Sequence, residues 1–293
     1  MNQPKDIKEF CKLFDLYIPT YEYFDYYIDL LSKYPKHSDI KNNLEEFIRI
    51  EQSLHKEGKE IFKYKMACVD QIVNNLKASE AYAKLNELIY TPITPQREFK
   101  AIDGDYTSID LSSANFHALS FFDKTGQMKT YEDILRPAFG DNTSFYAKPK
   151  SLRQFIFGNT NPKRLQLVQK MVIDEMMQYF DYETKTKLVS VKSDELIFSG
   201  NVDINLPTDN TLINHFPTKI KKYKLEVIND GVTIKTFSNG EKQFYGINGN
   251  RFFMYFKKYF LNESLNYKDL IFKIDNRTAL WTDGVELDTL KIN

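Results

Sequence analysis

The sequence predicts an α+β protein: a helical N-terminal region, a central part where strands and helices interleave, and a small β-rich C-terminal region. Three observations predict it. Residues 6–90 repeat apolar side chains at helical spacing. The stretch Lys100–Leu119, KAIDGDYTSIDLSSANFHAL, starts as an alternating segment and becomes helix-compatible near Leu111. After residue 200, short alternating segments predominate.

In chain order, Phe10, Leu13, Phe14 and Tyr17 form one apolar face ended by Pro19, and Tyr23, Tyr26, Tyr27, Leu30 and Leu31 form another ended by Pro35. Ser38-Asp39 opens a further helix through Ile40, Leu44, Phe47, Ile48 and Ile50, and Met66, Val69, Ile72, Val73 and Leu76 continue the period. These stripes read as core, in a packing or partner-binding module. Two prolines in Thr91–Gln96, TPITPQ, end it and favour extended chain. The resulting segments are 1–92, 93–205 and 206–293.

Within the second segment, Asp123–Gly126 is a turn, Tyr131–Pro137 a short helix at most, and Gly140–Lys150 polar and turn-rich. A short helix from Ser151, a loop over Gly158–Pro162 and a long helix through Leu165, Val168, Val172, Met176 and Tyr179 follow. Lys187–Ser199, KLVSVKSDELIFS, reads as a hairpin with Asp194 and Glu195 at its tip. The third segment alternates over Tyr223–Ile228, Val232–Phe237 and Gln243–Ile247, with a helix over Phe252–Leu261 and small strands around Trp281.

Composition narrows the function classes. A hydrophobic share of 42% and a charged share of 27% are ordinary for a soluble globular protein. Forty basic and forty acidic residues cancel, so any nucleic-acid surface must be a local patch. The basic clusters are Lys219–Lys224 (KIKKYK) and Arg251–Lys258 (RFFMYFKK), the latter interleaved with aromatics as in grooves for single strands, or equally as in a plain amphipathic surface. Cys11 and Cys68 are too few and too distant for a zinc site or a disulfide framework, which suits a reducing compartment. No signal core and no span-length apolar run occur, so a cytoplasmic protein with no membrane partner is expected.

The candidate chemistry lies in the acids Asp103, Asp105 and Asp110, with Asp110 at the strand-to-helix changeover. A carboxylate there is rigidly held yet reachable by solvent and metal. Neighbouring strands lie under about 5 Å apart. Asp110 and Asp194 on adjacent strands would therefore meet the spacing of two-metal chemistry, whose ions sit roughly 3.5–4 Å apart. Solvated turn acids are the plain alternative.

At this point the chain resembles the palm of a family B DNA polymerase, in particular the phage and plasmid branch. Asp110-Leu-Ser-Ser-Ala-Asn-Phe-His-Ala-Leu119 resembles the family's first motif, D-x-x-S-x-Y-P. Lys150-Ser-Leu-Arg-Gln-Phe-Ile-Phe-Gly158 resembles the second, K-x-x-x-N-x-x-Y-G, with Gln154 in place of Asn. Lys192-Ser-Asp194-Glu195 resembles the third, D-T-D in a hairpin, keeping its second acid. Glu241–Tyr245, EKQFY, resembles the basic K-x-Y segment that contacts primer and template. A rival frame exists: Asp105-Tyr-Thr-Ser-Ile-Asp110-Leu is similar to the family A first motif, D-Y-S-x-x-E-L, and would make Asp105 the ligand. The motif spacing over Lys150–Gly158 fits family B better.

The resemblance covers roughly residues 99–260 and implies a palm, an antiparallel sheet with packed helices, from a phage or mobile element. It implies a small nucleotidyltransferase that extends a primer 3′-hydroxyl with a nucleoside triphosphate on a primer–template, using two Mg²⁺ or Mn²⁺ ions. Asp110 and Asp194 would be the catalytic metal ligands, with Glu195 and Asp105 as further metal candidates. Lys150, Arg153, Gln154, Asn115 and Gly158 would bind the nucleotide; Lys242, Tyr245 and Arg251 would bind nucleic acid. The N-terminal helices would be free to bind a replication protein. Asn115 stands where the family has the Tyr that excludes ribonucleotides, and Lys192 stands at the first acid of the third motif. The region between Asp110 and Lys150 is short, and no exonuclease domain fits before residue 99. An inactive palm relative acting as a nucleic-acid-binding accessory, and a non-enzymatic phage structural or regulatory protein, are the other two readings.

Overall fold

The computed structural model describes residues 4–229, 231–247, 249–274 and 277–281. Five helices open the chain: α1 (Pro4–Leu13), α2 (Phe24–Ser32), α3 (Ile40–Lys56), α4 (Ile61–Ala78) and α5 (Glu80–Glu87). Their apolar residues recur every three or four positions and turn inward, as with Cys68, Val69, Ile72, Val73 and Leu76 of α4. Ser79 separates α4 from α5 by taking an extended backbone and accepting the Tyr82 N–H, an N-cap worth about 1 kcal/mol. The proline-containing segment beyond α5 is irregular and is anchored by the buried Asp174. Its carboxylate accepts the Tyr90 hydroxyl at 2.6 Å and the N–H groups of Ile93 and Thr94 at 2.8 and 2.7 Å.

The sheet that follows is antiparallel throughout, in the order β2-β3-β1-β4-β5-β6. Its strands are β1 (Gly104–Leu111), β2 (Leu188–Val191), β3 (Glu195–Ser199), β4 (Thr218–Asn229), β5 (Val232–Phe237) and β6 (Lys242–Tyr245). β1 lies between β3 and β4 and is covered on both faces: Tyr106, Thr107, Ser108 and Ile109 are all buried. Because side chains alternate along a strand, Ile109 and Leu111 join Leu196 and Phe198 against the helices, while Tyr106 and Ser108 take the other face with Asp110. On that second face Tyr106, Ile197, Tyr223 and Leu225 make a small separate cluster, with Tyr106 and Tyr223 stacked at 5.9 Å.

The chain between β1 and β2 is helical: α6 (Ala114–Ser120), α7 (Tyr131–Phe139), α8 (Thr143–Ala147), α9 (Lys150–Gly158), α10 (Pro162–Tyr179) and α11 (Tyr182–Thr186). α10 starts on Pro162, capped by Asn161, and buries Leu165, Val168, Val172, Ile173 and Met176. Two expectations change here. Gly140–Lys150 is largely helical, because Phe145 and Tyr146 are fully buried and require an ordered backbone. The helix from Tyr131 runs on through Pro137 to Phe139, and a Thr130–Asp133 capping box starts it.

α12 (Thr211–His215) precedes β4, and α13 (Phe252–Tyr255) continues into a π-helical turn over Phe256–Leu261. A second, two-stranded sheet of β7 (Ile271–Ile274) and β8 (Arg277–Leu280) ends the described chain. The principal core runs without interruption from Phe10 of α1 to Phe256, so helices and sheet share one interior. Among the described residues no helix is long and apolar enough to cross a membrane.

Candidate functional site

Asp110 is the penultimate residue of β1, and the register sets Glu195 opposite it on β3 and Lys219 opposite it on β4. Residues directly opposed across antiparallel strands share a face, so the Asp110 carboxylate has an acid on one side and an ammonium on the other. Asp194 comes from the turn before β3. Its carbonyl accepts the Leu111 N–H at 2.9 Å, which pins the turn against the end of β1. Burial pushes the Asp110 carboxyl above its usual value, and the carboxylates of Glu195 and Asp194 push it further, against the pull of Lys221 and Lys150.

The facing wall is α9. Leu152, Ile156 and Phe157 bury one side of it. Lys150, Arg153 and Gln154, at i, i+3 and i+4, share another and line a cleft of about 530 Å³ with Asp110 and Asp194. The cleft floor is the link from β1 into α6. Ser112 donates its N–H to the Pro217 carbonyl at 2.8 Å, and Ser113 takes a left-handed backbone (φ 50°, ψ 38°), which costs a non-glycine residue roughly 1–2 kcal/mol. Arg153 donates to Ser113 Oγ at 3.3 Å and lies over the Tyr131 ring, so its guanidinium is held at the cleft. Asn115, on α6, also lines the cleft; its Oδ1 accepts the Nε2–H of the buried Gln169 at 2.7 Å.

A second cleft of about 350 Å³ shares Asp110, Lys150 and Asp194 with the first and spreads over the second face of the sheet. Lys192, Glu195, Lys221, Tyr223, Lys235 and Tyr245 are among its walls. Lys235 is only 7% exposed, its ammonium between the rings of Tyr223 (4.3 Å) and Tyr245 (4.1 Å), and burial pushes its ionisation down. Lys192 Nζ lies 2.8 Å from Glu195 Oε2.

The expected site residues divide clearly. Asp110, Asp194, Lys150, Arg153, Gln154 and Asn115 meet in the first cleft, and Glu195 and Tyr245 reach the second. Asp105 does not join them. It stands five residues back along β1, roughly 17 Å away at strand spacing, and on the opposite face. Lys242 alternates with Tyr245 on β6 and projects from the opposite face, away from the second cleft. Arg251 is spent on the Trp281 ring, 4.5 Å away. Gly158 lies two turns along α9 from Lys150, roughly 12 Å, and outside both linings. A Cβ there would meet nothing within 4 Å, so no packing inside the fold demands glycine.

Asp194 also differs in detail: Glu195, not Asp194, occupies the strand position opposite Asp110, because Ser193 and Asp194 form the two-residue turn closed by Lys192 N–H to the Glu195 carbonyl at 2.8 Å. Gln166, Gln169, Ser112, Ser113, Lys219, Lys221 and Lys235 are additional lining residues. The alternation of KIKKYK carried a signal for Lys219 and Lys221, since every second lysine of a strand shares a face. Lys235 had none, being a single charge inside an apolar strand.

Hard divalent cations take oxygen ligands, and Mg²⁺ commonly uses one or two carboxylates plus substrate phosphates. Asp110 and Asp194 suit that donor set, while burial first, and then the neighbouring carboxylates, raise the Asp110 carboxyl. Among the described residues no three His, Cys, Asp or Glu side chains are grouped to hold one ion by themselves. The chain matches no family model, no curated protein and no solved structure.

Proposed function

We propose that the protein is a small palm-type nucleotidyltransferase that joins a nucleoside triphosphate to the 3′-hydroxyl of a primer held on a template. One observation carries this reading: two acids from adjacent sheet elements and the polar side chains Lys150, Arg153 and Gln154 from one helix face line a single cleft. In this reading Asp110 and Asp194 would hold Mg²⁺ or Mn²⁺, which when bound would supply Lewis-acid activation of a hydroxyl and charge neutralisation at a phosphoryl group. Arg153, fixed by Ser113 and Tyr131, offers a planar fork to a phosphate, and Lys150 adds a mobile point charge. Gln154 lies on the same helix face and orients the nucleotide. The second cleft, with aromatic and lysine side chains, suits a nucleic-acid strand leading to the acids.

Primer extension with dNTPs and NTPs, in Mg²⁺ and Mn²⁺, tests the reading beside Asp110→Asn and Asp194→Asn. Metal-dependent extension in the native chain, lost by at least 100-fold in each variant, is the expected result. A second reading, an inactive relative that binds nucleic acid as a replication accessory, is favoured by the Lys192–Glu195 ion pair beside the acids. No extension with retained gel-shift binding would select it, and neither activity nor binding would remove both.

A further inference from the structure

We infer that the second cleft holds one backbone phosphate of a nucleic-acid strand, on the ammonium of Lys235 and the hydroxyl of Tyr223. The inference rests on the strand-binding part of the nucleotidyltransferase reading and names the donors that hold the strand. Register puts them on one face. Tyr223 of β4 is opposite Phe237 of β5, and Lys235 stands two residues before Phe237, so all three side chains leave the sheet on the same side. Tyr245 is opposite Thr233 and leaves on that side too. The rings of Tyr223 and Tyr245 close on the Lys235 ammonium from 4.3 and 4.1 Å.

Both donors are buried without an acceptor. Lys235 is 7% exposed, and among the described residues its ammonium has ring contacts but no hydrogen bond and no ion pair. An ammonium carries three N–H donors, which two ring faces do not satisfy as oxygens would. Tyr223 is 3% exposed, and its hydroxyl has no hydrogen-bond partner among the described residues. Burial first, and then Glu195, raises that hydroxyl above its ordinary value, so it stays protonated and can donate. Buried polar groups are nearly always paired, so two orphan donors on the wall of one cleft call for an acceptor from outside the chain.

The charges select an anion. Glu195, the carboxylate that acts most on Tyr223, already has the Lys192 ammonium 2.8 Å away. Lys221, on the same wall, lies 5.6 Å from the Phe237 ring and has no acid partner among the described residues. Tyr223 stands four residues beyond Lys219, the residue opposite Asp110, which is roughly 13 Å along β4. An anionic group with several acceptor oxygens answers an ammonium and a hydroxyl at once, as a phosphate does. The Tyr245 ring, 42% exposed, offers a base a stacking surface beside them, which favours a phosphate carried by a strand.

Fluorescence anisotropy of the full-length protein with a primer–template tests this. The recessed 3′ end fixes the register, and each strand is scanned with one neutral methylphosphonate linkage at a time. One linkage is expected to weaken binding to the native chain by about 10-fold, the loss of a hydrogen bond to a charged group. At that linkage Lys235→Met is expected to bind neutral and charged strands equally, and Tyr223→Phe to show a smaller difference than the native chain. Lys224→Met, on the opposite face of β4, is expected to keep the full difference. Tyr223→Phe removes a hydroxyl and keeps the ring, so its melting temperature is expected to stay at or above the native one. An unchanged difference in Lys235→Met, or no sensitive linkage in the native chain, would overturn the inference; primer extension by that same chain would show the nucleotidyltransferase reading standing without it. Loss of dATP binding in Lys235→Met with the linkage effect intact would give the phosphate to the nucleotide and overturn the strand assignment. A native chain with the sensitive linkage but no extension would uphold the inference and overturn the enzymatic reading.

Discussion

Asp110 stands where charge is costly to the fold. Burial and the neighbouring Glu195 and Asp194 raise its carboxyl, so the folded state binds that proton more tightly than the unfolded chain does. The sign follows: its contribution favours the fold at low pH and is lost as the pH rises from the ordinary Asp value through the raised one. Asp110→Asn removes the repulsion and is expected to stabilise the protein by roughly 0.5–2 kcal/mol at pH 7, as replacements at strained functional positions commonly do. Urea denaturation checks this, and the gain should shrink as the pH is lowered towards about 3.9, the ordinary Asp value. A gain independent of pH would show that charge is not its source. Ser113 shows the same exchange of stability for position: its left-handed backbone turns the chain sharply from β1 into α6 at the floor of the cleft.

At the level of elements, α6 is held over the sheet by α10 and by α12, and the second contact is titratable. His117 of α6 and His215 of α12 meet edge to face at 5.7 Å. His215 Nε2 is 3.1 Å from the His117 carbonyl and from Ser120 Oγ. A carbonyl can only accept, so Nε2 carries the proton of the neutral ring. Burial, and then His215, pushes His117 down to about 4, while burial and then Lys36 push His37 to about 4. Groups lowered in the folded state give stability that is present at and above pH 6.5 and lost as the pH falls from 6.5 to about 4. Each contributes a slope of at most about 1.4 kcal/mol per pH unit in that window. His117→Phe, which suits the surrounding Phe116 and Phe216 rings, is expected to flatten part of the fall between pH 7 and pH 5. Thermal melts at the two pH values read it directly, and an unchanged difference would exclude His117 as a contributor.

At the scale of the whole molecule, α2 near the start of the chain is tied to residues 257–269 near its described end. The buried Lys257–Asp269 pair, 3.0 Å apart, accepts the Tyr26 hydroxyl on its carboxylate, and the Tyr27 hydroxyl donates to the Lys268 carbonyl. α2 is thereby joined to the π-helical turn and the segment leading into β7. Asp269→Ala would leave a lysine ammonium buried without its partner, at a cost of about 3–5 kcal/mol. Chemical denaturation gives the magnitude, and hydrogen exchange should show the loss concentrated in residues 267–274 and in β8. A change under about 1 kcal/mol would mean that water reaches Lys257 and the pair is not a tether.

Local physics was readable from the residues alone: apolar spacing gave most of the helices of residues 6–90, and alternation gave β1 and the hairpin that carries Asp194, whereas α1 ends at Leu13, ahead of Pro19, and α3 and α4 end without a proline. The same patterning placed Lys150, Arg153 and Gln154 on one helix face, because i, i+3 and i+4 coincide on any α-helix. What the sequence could not decide was register and facing, which depend on partners remote in the chain. Pairing set Glu195 opposite Asp110 and left Asp105 at the far end of the strand; the pleat sent Tyr245 into the second cleft and Lys242 away from it. The sandwich of Lys235 between two tyrosines and the Asn115–Gln169 hydrogen bond likewise join residues that only folding brings together. A one-residue shift in pairing moves every side chain of a strand to its other face, so the sequence by itself supplied the candidate acids and cations and the tertiary structure decided which of them share a cleft.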